Sequence, residues 1–273
     1  MTMELKVCNV LLATDGSEYS KGAERVAMKL ADLCGAKIFV TRVVLYDREY
    51  MATATDLLER EEQKAKAIAD AVKKEAIDKN IEAETVIVTA EKIEDGITEA
   101  AKEVNADLIV MGRRGVRGLA KFFIGSATLN VIPMAPCPVL IVPRAADVTG
   151  KALLGATDGS EVSLRAIDML SKMAKKTNTK AYILAVARDE AETEKAQEAL
   201  KKAEEIAKAH GINYETILKV GLPDKIILEV AKEKEADLIV MGNRGLKGIS
   251  KAFLGSVSEK VVSNSDRGVL IVK

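Results

Sequence analysis

The sequence contains no tryptophan, and aromatic residues make up only 3% of it. Binders of single-stranded nucleic acid stack bases on aromatic rings, so that mode of recognition is disfavoured. Charge of either sign is not in excess: Lys+Arg and Asp+Glu both number 41. No bulk field draws the chain to nucleic acid or to an anionic membrane. Histidine occurs once, at His210, just before a glycine where a helix ends. It is given no catalytic role, and the first half of the chain has no Ser-His-Asp arrangement. The cysteines, Cys8, Cys34 and Cys137, form no C-x-x-C pair and show no metal spacing. They read as small apolar packing residues, with a Cys8–Cys34 disulfide disfavoured by a reducing compartment. No metal site is expected. No apolar run approaches the roughly 20 residues of a membrane-spanning helix. The N-terminus turns acidic at Glu4 and carries no secretion-signal pattern, so a cytoplasmic protein with no membrane contact is expected.

What is present is a duplication. Residues 106–126 read ADLIVMGRRGVRGLAKFFIGS, and residues 236–256 read ADLIVMGNRGLKGISKAFLGS. Gly112, Gly115, Gly118, Gly125 and Ser126 have counterparts in Gly242, Gly245, Gly248, Gly255 and Ser256, and Lys121 and Phe123 in Lys251 and Phe253. Both copies spell G-x2-G-x9-G-S after an apolar strand. The pattern implies a buried strand, a glycine-rich loop and a helix that opens at Gly-Ser. Unpaired N–H groups and a partial positive charge at such a helix end suit a phosphate. Glycine lets the backbone come close to a ligand and also allows positive φ.

In the first half, apolar strands at 7–13, 37–45, 82–88, 108–111 and 139–143 alternate with helices. The first helix, capped by Ser17 or Ser20, places Ala23, Val26, Ala27, Leu30 and Leu33 on one face and stops at Gly35. Others follow at 56–80, 91–105 and 127–132. The second half repeats the order, with strands after Lys151, at 180–187, 213–220, 237–241 and 268–273, and helices at 190–209 and 223–235. Buried strands alternating with amphipathic helices imply an α/β fold, a parallel sheet in each half covered by helices on both faces. Domains are expected at 1–144 and 151–273, joined by a polar linker at 145–150. Asp15 and Asp158 lie 143 positions apart but Gly112 and Gly242 only 130, so the second half is 13 residues shorter. The difference is placed after strand two. The extra loop, around 46–56, is either a lid or interface element or simple loop drift.

Ligands of open parallel sheets bind beyond the carboxyl ends of the strands, where strand order reverses. Strand one ends in Thr14-Asp15-Gly16-Ser17, matched by Thr157-Asp158-Gly159-Ser160, and strand four ends at Gly112 or Gly242. If strands one and four are neighbours, the two stretches shared most closely by the halves are the two walls of one site.

On these motifs, the T-D-G-S-E turn and G-x2-G-x9-G-S, the chain resembles a tandem universal stress protein over nearly its whole length. Gly125-Ser126-Ala127-Thr128 and Gly255-Ser256-Val257-Ser258 keep the pattern of the family's ATP-binding members. The resemblance implies two tandem open parallel five-stranded sheets of order 3-2-1-4-5, packed as a pseudo-dimer. It implies that Ala13, Thr14 and Asp15 line the nucleoside side, with Val43 at the adenine edge. Met111, Gly112, Arg114 and Gly115 would bracket the ribose and proximal phosphate. Gly125, Ser126, Ala127 and Thr128 would hold phosphates by N–H and hydroxyl groups. The matching set is Ala156, Thr157, Asp158, Val186, Met241, Gly242, Arg244, Gly245, Gly255, Ser256, Val257 and Ser258. The ligand expected is ATP or AMP, with Mg²⁺ as a companion of ATP.

The expected function is a nucleotide-binding stress-response sensor or adaptor, one nucleotide per half, acting on an unidentified protein partner through loops 113–124 and 243–254. A slow ATPase or nucleotidyl-transfer enzyme is the first alternative. It is disfavoured because no G-x-x-x-x-G-K-[ST] loop is present and TDGSE is not an S-G-G-x-D-S loop. No catalytic residue is assigned. An RNA-binding module, using Arg113, Arg114, Arg117 and Lys121 with Arg244, Lys247 and Lys251, is the second alternative, disfavoured by the neutral charge. Strand five of each half, Val139–Val142 and Val269–Val272, is an apolar edge that invites aggregation unless paired. The two are expected to pair antiparallel within the chain, and a homodimer of whole chains is compatible with that.

Overall fold

The computed structural model describes residues 7–46, 55–115, 124–245 and 254–273. Most of the extra loop near 46–56 and the central part of both glycine loops, including Arg117, Gly118, Lys121, Phe123, Lys247, Gly248, Lys251 and Phe253, lie outside the described residues. The chain divides into two compact units, Val7–Ala145 and Ala146–Lys273.

The first unit runs β1 (Asn9–Ala13), α1 (Lys21–Cys34), β2 (Lys37–Leu45), α2 (Thr55–Asp78), β3 (Ala83–Ala90), α3 (Ile93–Glu103), β4 (Leu108–Gly112), α4 (Ser126–Met134) and β5 (Val139–Val142). Its strands are parallel and lie in the order β3-β2-β1-β4-β5. The second unit runs β6 (Ala152–Thr157), α5 (Glu161–Thr177), β7 (Lys180–Ala187), a 3₁₀ turn (Glu190–Glu192), α6 (Thr193–His210), β8 (Tyr214–Val220), α7 (Pro223–Glu233), β9 (Leu238–Gly242), α8 (Ser256–Asn264) and β10 (Gly268–Val272). Its strands are parallel too, in the order β8-β7-β6-β9-β10. The expected order 3-2-1-4-5 thus holds in each unit.

The reason is burial. β1, β4 and β5 have no polar residue in their central positions, and Val10, Leu11, Leu12, Ile109, Val110 and Val139 are fully buried. Strands of this kind must be covered on both faces. Right-handed crossovers place the helices that step one way on one face and those that step back on the other. Accordingly α3 packs against α4, α5 against α6, and α7 against α8.

Several details differ from the pattern expected from sequence. Leu33 is 52% exposed, because the buried stripe of α1 follows Ala23, Ala27 and Ala31. Cys8 is exposed rather than packed, being just outside β1, and all three cysteines are free thiols. Pro133 sits inside α4 instead of ending it. Part of the shortening of the second half falls within a helix: α2 has 24 residues where α6 has 18.

His210 is buried at the end of α6, and its Nε2 lies 2.7 Å from Asp168 Oδ1 on α5. Lys172 Nζ lies 2.7 Å from the other oxygen. Partial burial pushes the Asp168 carboxyl up, but the bonds from Lys172 and His210 outweigh it and hold the pKa below the ordinary 3.8. A carboxyl depressed on folding stabilises above its unfolded pKa, and that contribution is lost as pH falls through the folded value. Asp168→Asn should therefore lower the melting temperature near neutral pH, with the deficit closing well below pH 3.8. A pH series of thermal melts of both proteins measures it.

Candidate functional site

Each site is built where strand order reverses. Ala13 pairs with Met111 and Ala156 with Met241, so the first and fourth strands of each unit end side by side. The chain then leaves in two directions, through the T-D-G-S turn on one side and the glycine loop on the other.

The T-D-G-S turn is fixed by its own side chains. The Asp15 and Asp158 carboxylates accept from the N–H of Ser17, at 3.0 Å, and of Ser160, at 3.1 Å. The Thr14 and Thr157 hydroxyls accept from the N–H of Gly16 and Gly159, each at 3.1 Å. Both glycines have positive φ, +74° and +79°, which the tight reversal requires. The Thr14 hydroxyl also lies 2.7 Å from Oε1 of Glu24, a residue only 2% exposed, and 2.9 Å from Ser20 Oγ. Lys21 Nζ closes the cluster at 2.8 Å from Glu24, and this bond raises the lysine pKa above 10.5. Ser20, expected as a helix cap, spends its hydroxyl here and makes no cap bond. In the second unit Ile167 stands at the position of Glu24, and Ser160 does cap its helix, accepting from Ser163 N–H.

The glycine side begins at β4 and resumes at α4. The 5→1 bonding of α4 starts with Leu129 N–H to the Gly125 carbonyl, 3.1 Å, which leaves the N–H groups of Ser126, Ala127 and Thr128 as its first turn. In α8 the first such bond is Glu259 N–H to Gly255, 2.8 Å. Gly125 and Gly255 have φ of −66° and −64°, ordinary for any residue, so positive φ is not what glycine supplies there. A Cβ at Gly125 would meet nothing nearer than 3.6 Å. At Gly255 it would meet the Asn243 carbonyl at 3.2 Å, a tighter fit. At Gly115 a Cβ would come within 2.7 Å of Asp15 Oδ2, and at Gly245 it would run into Asp158 Oδ2. These two glycines let the turn and the loop meet.

The hydroxyls at the two ends of the Gly-Ser-x-Thr/Ser sequence are used differently. Thr128 donates to the Gly112 carbonyl at 3.1 Å and Ser258 to the Gly242 carbonyl at 2.9 Å. Both side chains are buried, and they latch the helix to the end of the preceding strand. Their hydroxyl protons are therefore not directed at a ligand, contrary to the expectation for phosphate contact, whereas Ser126 and Ser256 are exposed.

Around each junction lies a cavity, about 680 Å³ in the first unit and about 300 Å³ in the second. Both are of ligand size. Ala13, Thr14, Asp15, Val43, Met111, Gly112, Arg114, Gly115, Gly125, Ser126, Ala127 and Thr128 all line the first. Ala156, Thr157, Asp158, Val186, Met241, Gly242, Arg244, Gly245, Gly255, Ser256, Val257 and Ser258 all line the second. Arg114 lies over the Tyr19 ring, 6.0 Å from its centroid. Sequence reasoning missed the far wall. Ile93 and Ile97 in the first cavity, and Pro223 and Ile227 in the second, are helix residues at matching positions in the repeat. It also missed Arg42, whose guanidinium donates to the Asp15 carbonyl, and Arg188, Glu192 and Lys195 at the second cavity. The matching of Ile97 with Ile227 across the repeat was the available signal.

The model of the universal stress protein family matches residues 7–143 and again 150–273, and the chain belongs to that family as a tandem of two of its domains. A universal stress protein of Synechocystis sp. is 24% identical over an alignment of 286 positions that takes in 96% of this chain and 98% of that one. One from Methanocaldococcus jannaschii is 36% identical over 139 residues, 45% of this chain and 82% of its own. A universal stress protein from Archaeoglobus fulgidus, solved by crystallography, superposes with a TM-score of 0.81 at 26% identity, covering 97% of this chain and 98% of that chain.

The latch gives a contrast that can be measured. Thr128→Val leaves the buried Gly112 carbonyl without its donor and should cost about 1–3 kcal/mol of stability. Ser126→Ala, at an exposed position, should cost close to nothing in the free protein. Denaturant unfolding of the two variants separates a latch from a ligand-facing hydroxyl.

Proposed function

We propose that each half of this universal stress protein binds one adenine nucleotide, ATP or AMP, and that the chain works as a cytoplasmic stress-response sensor or adaptor. The observation that carries the reading is Gly125. Its backbone angles suit any residue, and a Cβ there would sit at ordinary contact distance from its neighbours. Neither strain nor packing among the described residues calls for glycine. Close approach of a ligand to the backbone does, and Gly125 stands on the cavity at the N-terminus of α4, where N–H groups and the helix dipole favour a phosphate.

The remaining residues fit that ligand. Arg114 and Arg244 line the same cavities and supply positive charge. Ile93, Ile97 and Val43 form an apolar wall for a base, as Pro223, Ile227 and Val186 do in the second site. Among the described residues no group of three or more His, Cys, Asp or Glu forms a cage for a metal. Mg²⁺ would come with ATP, held largely by phosphate oxygens. Binding is favoured over turnover because one oxygen of Asp15, and of Asp158, is committed to its own turn. The same reading pairs strand five of each half within the chain, which would remove two apolar edges. Occupancy would be communicated to a protein partner through the glycine loops.

Gly125→Val should abolish one site and Gly255→Val the other, each leaving about one nucleotide per chain, and the double variant none. Calorimetric titration with ATP and AMP, with native mass spectrometry of the protein as purified, gives the count. Full occupancy in the double variant would show that the nucleotide lies elsewhere. Bound ATP should persist for hours, far below a typical enzyme kcat of about 10 per second. Multiple-turnover phosphate release abolished by Asp15→Asn or Asp158→Asn would make the protein an ATPase instead.

A further inference from the structure

The two cavities are not copies of each other at the wall made by strand two. Thr41, Val43 and Leu45 of β2 line the first cavity, and Leu184 and Val186 of β7, with Arg188 just beyond its end, line the second. These are the same three positions of the repeat, alternate residues on one face of a strand. From mouth to floor, Leu45 is 43% exposed and Thr41 is 0% exposed. The first site therefore has an apolar mouth and a polar floor. The second has a charged, exposed mouth at Arg188 and an apolar floor, since Leu184 is 0% exposed.

The Thr41 hydroxyl is buried and has no hydrogen-bond partner among the described residues. Its carbonyl is in use, accepting from Thr14 N–H at 3.1 Å, so the strand itself is satisfied. Leaving a buried hydroxyl unpaired carries a free-energy cost, and a valine of the same shape would avoid it. A buried hydroxyl in this state calls for a partner from outside the protein, a water, an ion or a ligand.

The orientation of the ligand follows from the other end of the cavity. Phosphate belongs at the first turn of α4, beyond β4. Strand two lies on the far side of β1 from β4. A nucleotide reaching across the switch point brings its base, not its phosphates, to the β2 wall. A hydroxyl both donates and accepts, so it can complete a hydrogen bond with the amino group or a six-membered-ring nitrogen of a base.

We infer that Thr41 is a specificity-determining residue of the first site: its hydroxyl reads a polar atom of the bound base, and the second site, with Leu184 at that position, lacks this readout. The inference rests on the proposed nucleotide site. It makes the two halves unequal in selectivity: the first discriminates between bases by a hydrogen bond at the floor of the cavity, while the second holds the base by apolar contact.

The test isolates the first site in a Gly255→Val background and uses two probes, ATP and benzimidazole riboside triphosphate, whose base has the shape of a purine but lacks the amino group and the six-membered-ring nitrogens. Thr41→Val should weaken ATP about fivefold to tenfold, the worth of one net hydrogen bond, and leave the benzimidazole analogue unchanged. It should also raise the melting temperature of the nucleotide-free protein, because an unpaired buried hydroxyl is replaced by a methyl group. A merely structural threonine would lower it. The second site, isolated by Gly125→Val, should separate the two probes less than the first does. If ATP binds the first site but Thr41→Val changes both probes equally or neither, the assignment of Thr41 is wrong while the site stands. If ATP fails to bind the Gly255→Val protein, or still binds when Gly125→Val is added, the site itself is wrong and the assignment falls with it.

Discussion

The pairing of the first strand of each half with the fourth on one side, while the second flanks it on the other, is the constraint on which both cavities depend. Ala13 beside Met111 and Ala156 beside Met241 fix where two chain segments more than ninety positions apart in the first half must diverge. The divergence opens the crevice, since connections leave a parallel sheet on opposite faces where its order reverses. It also brings Asp15 against Gly115 and Asp158 against Gly245, so close that a side chain larger than hydrogen would displace the carboxylate. The second glycine of each G-x2-G pair thus serves the assembly of the crevice, and Gly125, before the helix, is left to serve a ligand.

That division of labour shows why a glycine motif cannot be interpreted as one unit. Gly16 and Gly159 are needed for positive φ, Gly115 and Gly245 for contact with a carboxylate, and Gly125 for neither. The sequence shows all of them as the same letter. The hydroxyls divide in the same way. Thr128 and Ser258 hold a helix to a strand, while Ser126 and Ser256 stay exposed at the helix end.

The fold was legible because strong signals agreed with one another. Runs such as Leu108 to Met111 could be buried only between two helical layers, and the internal repeat doubled every observation. The placement of the motif residues around a crevice was legible once the strand order was supplied by family resemblance. The rest depended on register. Nothing in the letters KIFVTRVVL says which of Thr41, Arg42 and Val43 faces the crevice, because a shift of one residue reverses the faces. Glu24 was equally hidden. On a helical period it appears as a solvent-facing charge near a positive helix end, and only the packing of α1 on the strands shows it buried against Thr14 and Ser20.

Duplication relaxes the demands on each copy, and the differences between the halves are therefore informative. Where both halves keep a residue, as with Asp15 and Asp158 or Ile97 and Ile227, the geometry shared by the two crevices accounts for it. Where they part, the change is not confined to the surface. A buried carboxylate cluster in the first half is replaced by Ile167 in the second, and the polar floor at Thr41 by Leu184. Each replacement exchanges a buried polar group for an apolar one, a direction that stabilises a core unless the polar group has work to do. The first half carries two such groups beside its cavity, one satisfied by its neighbours and one not. The satisfied one, Glu24, ties the turn after β1 to the helix that follows. The unsatisfied one, Thr41, has no side-chain hydrogen bond among the described residues, and it stands on the cavity wall, where a ligand would give it a use.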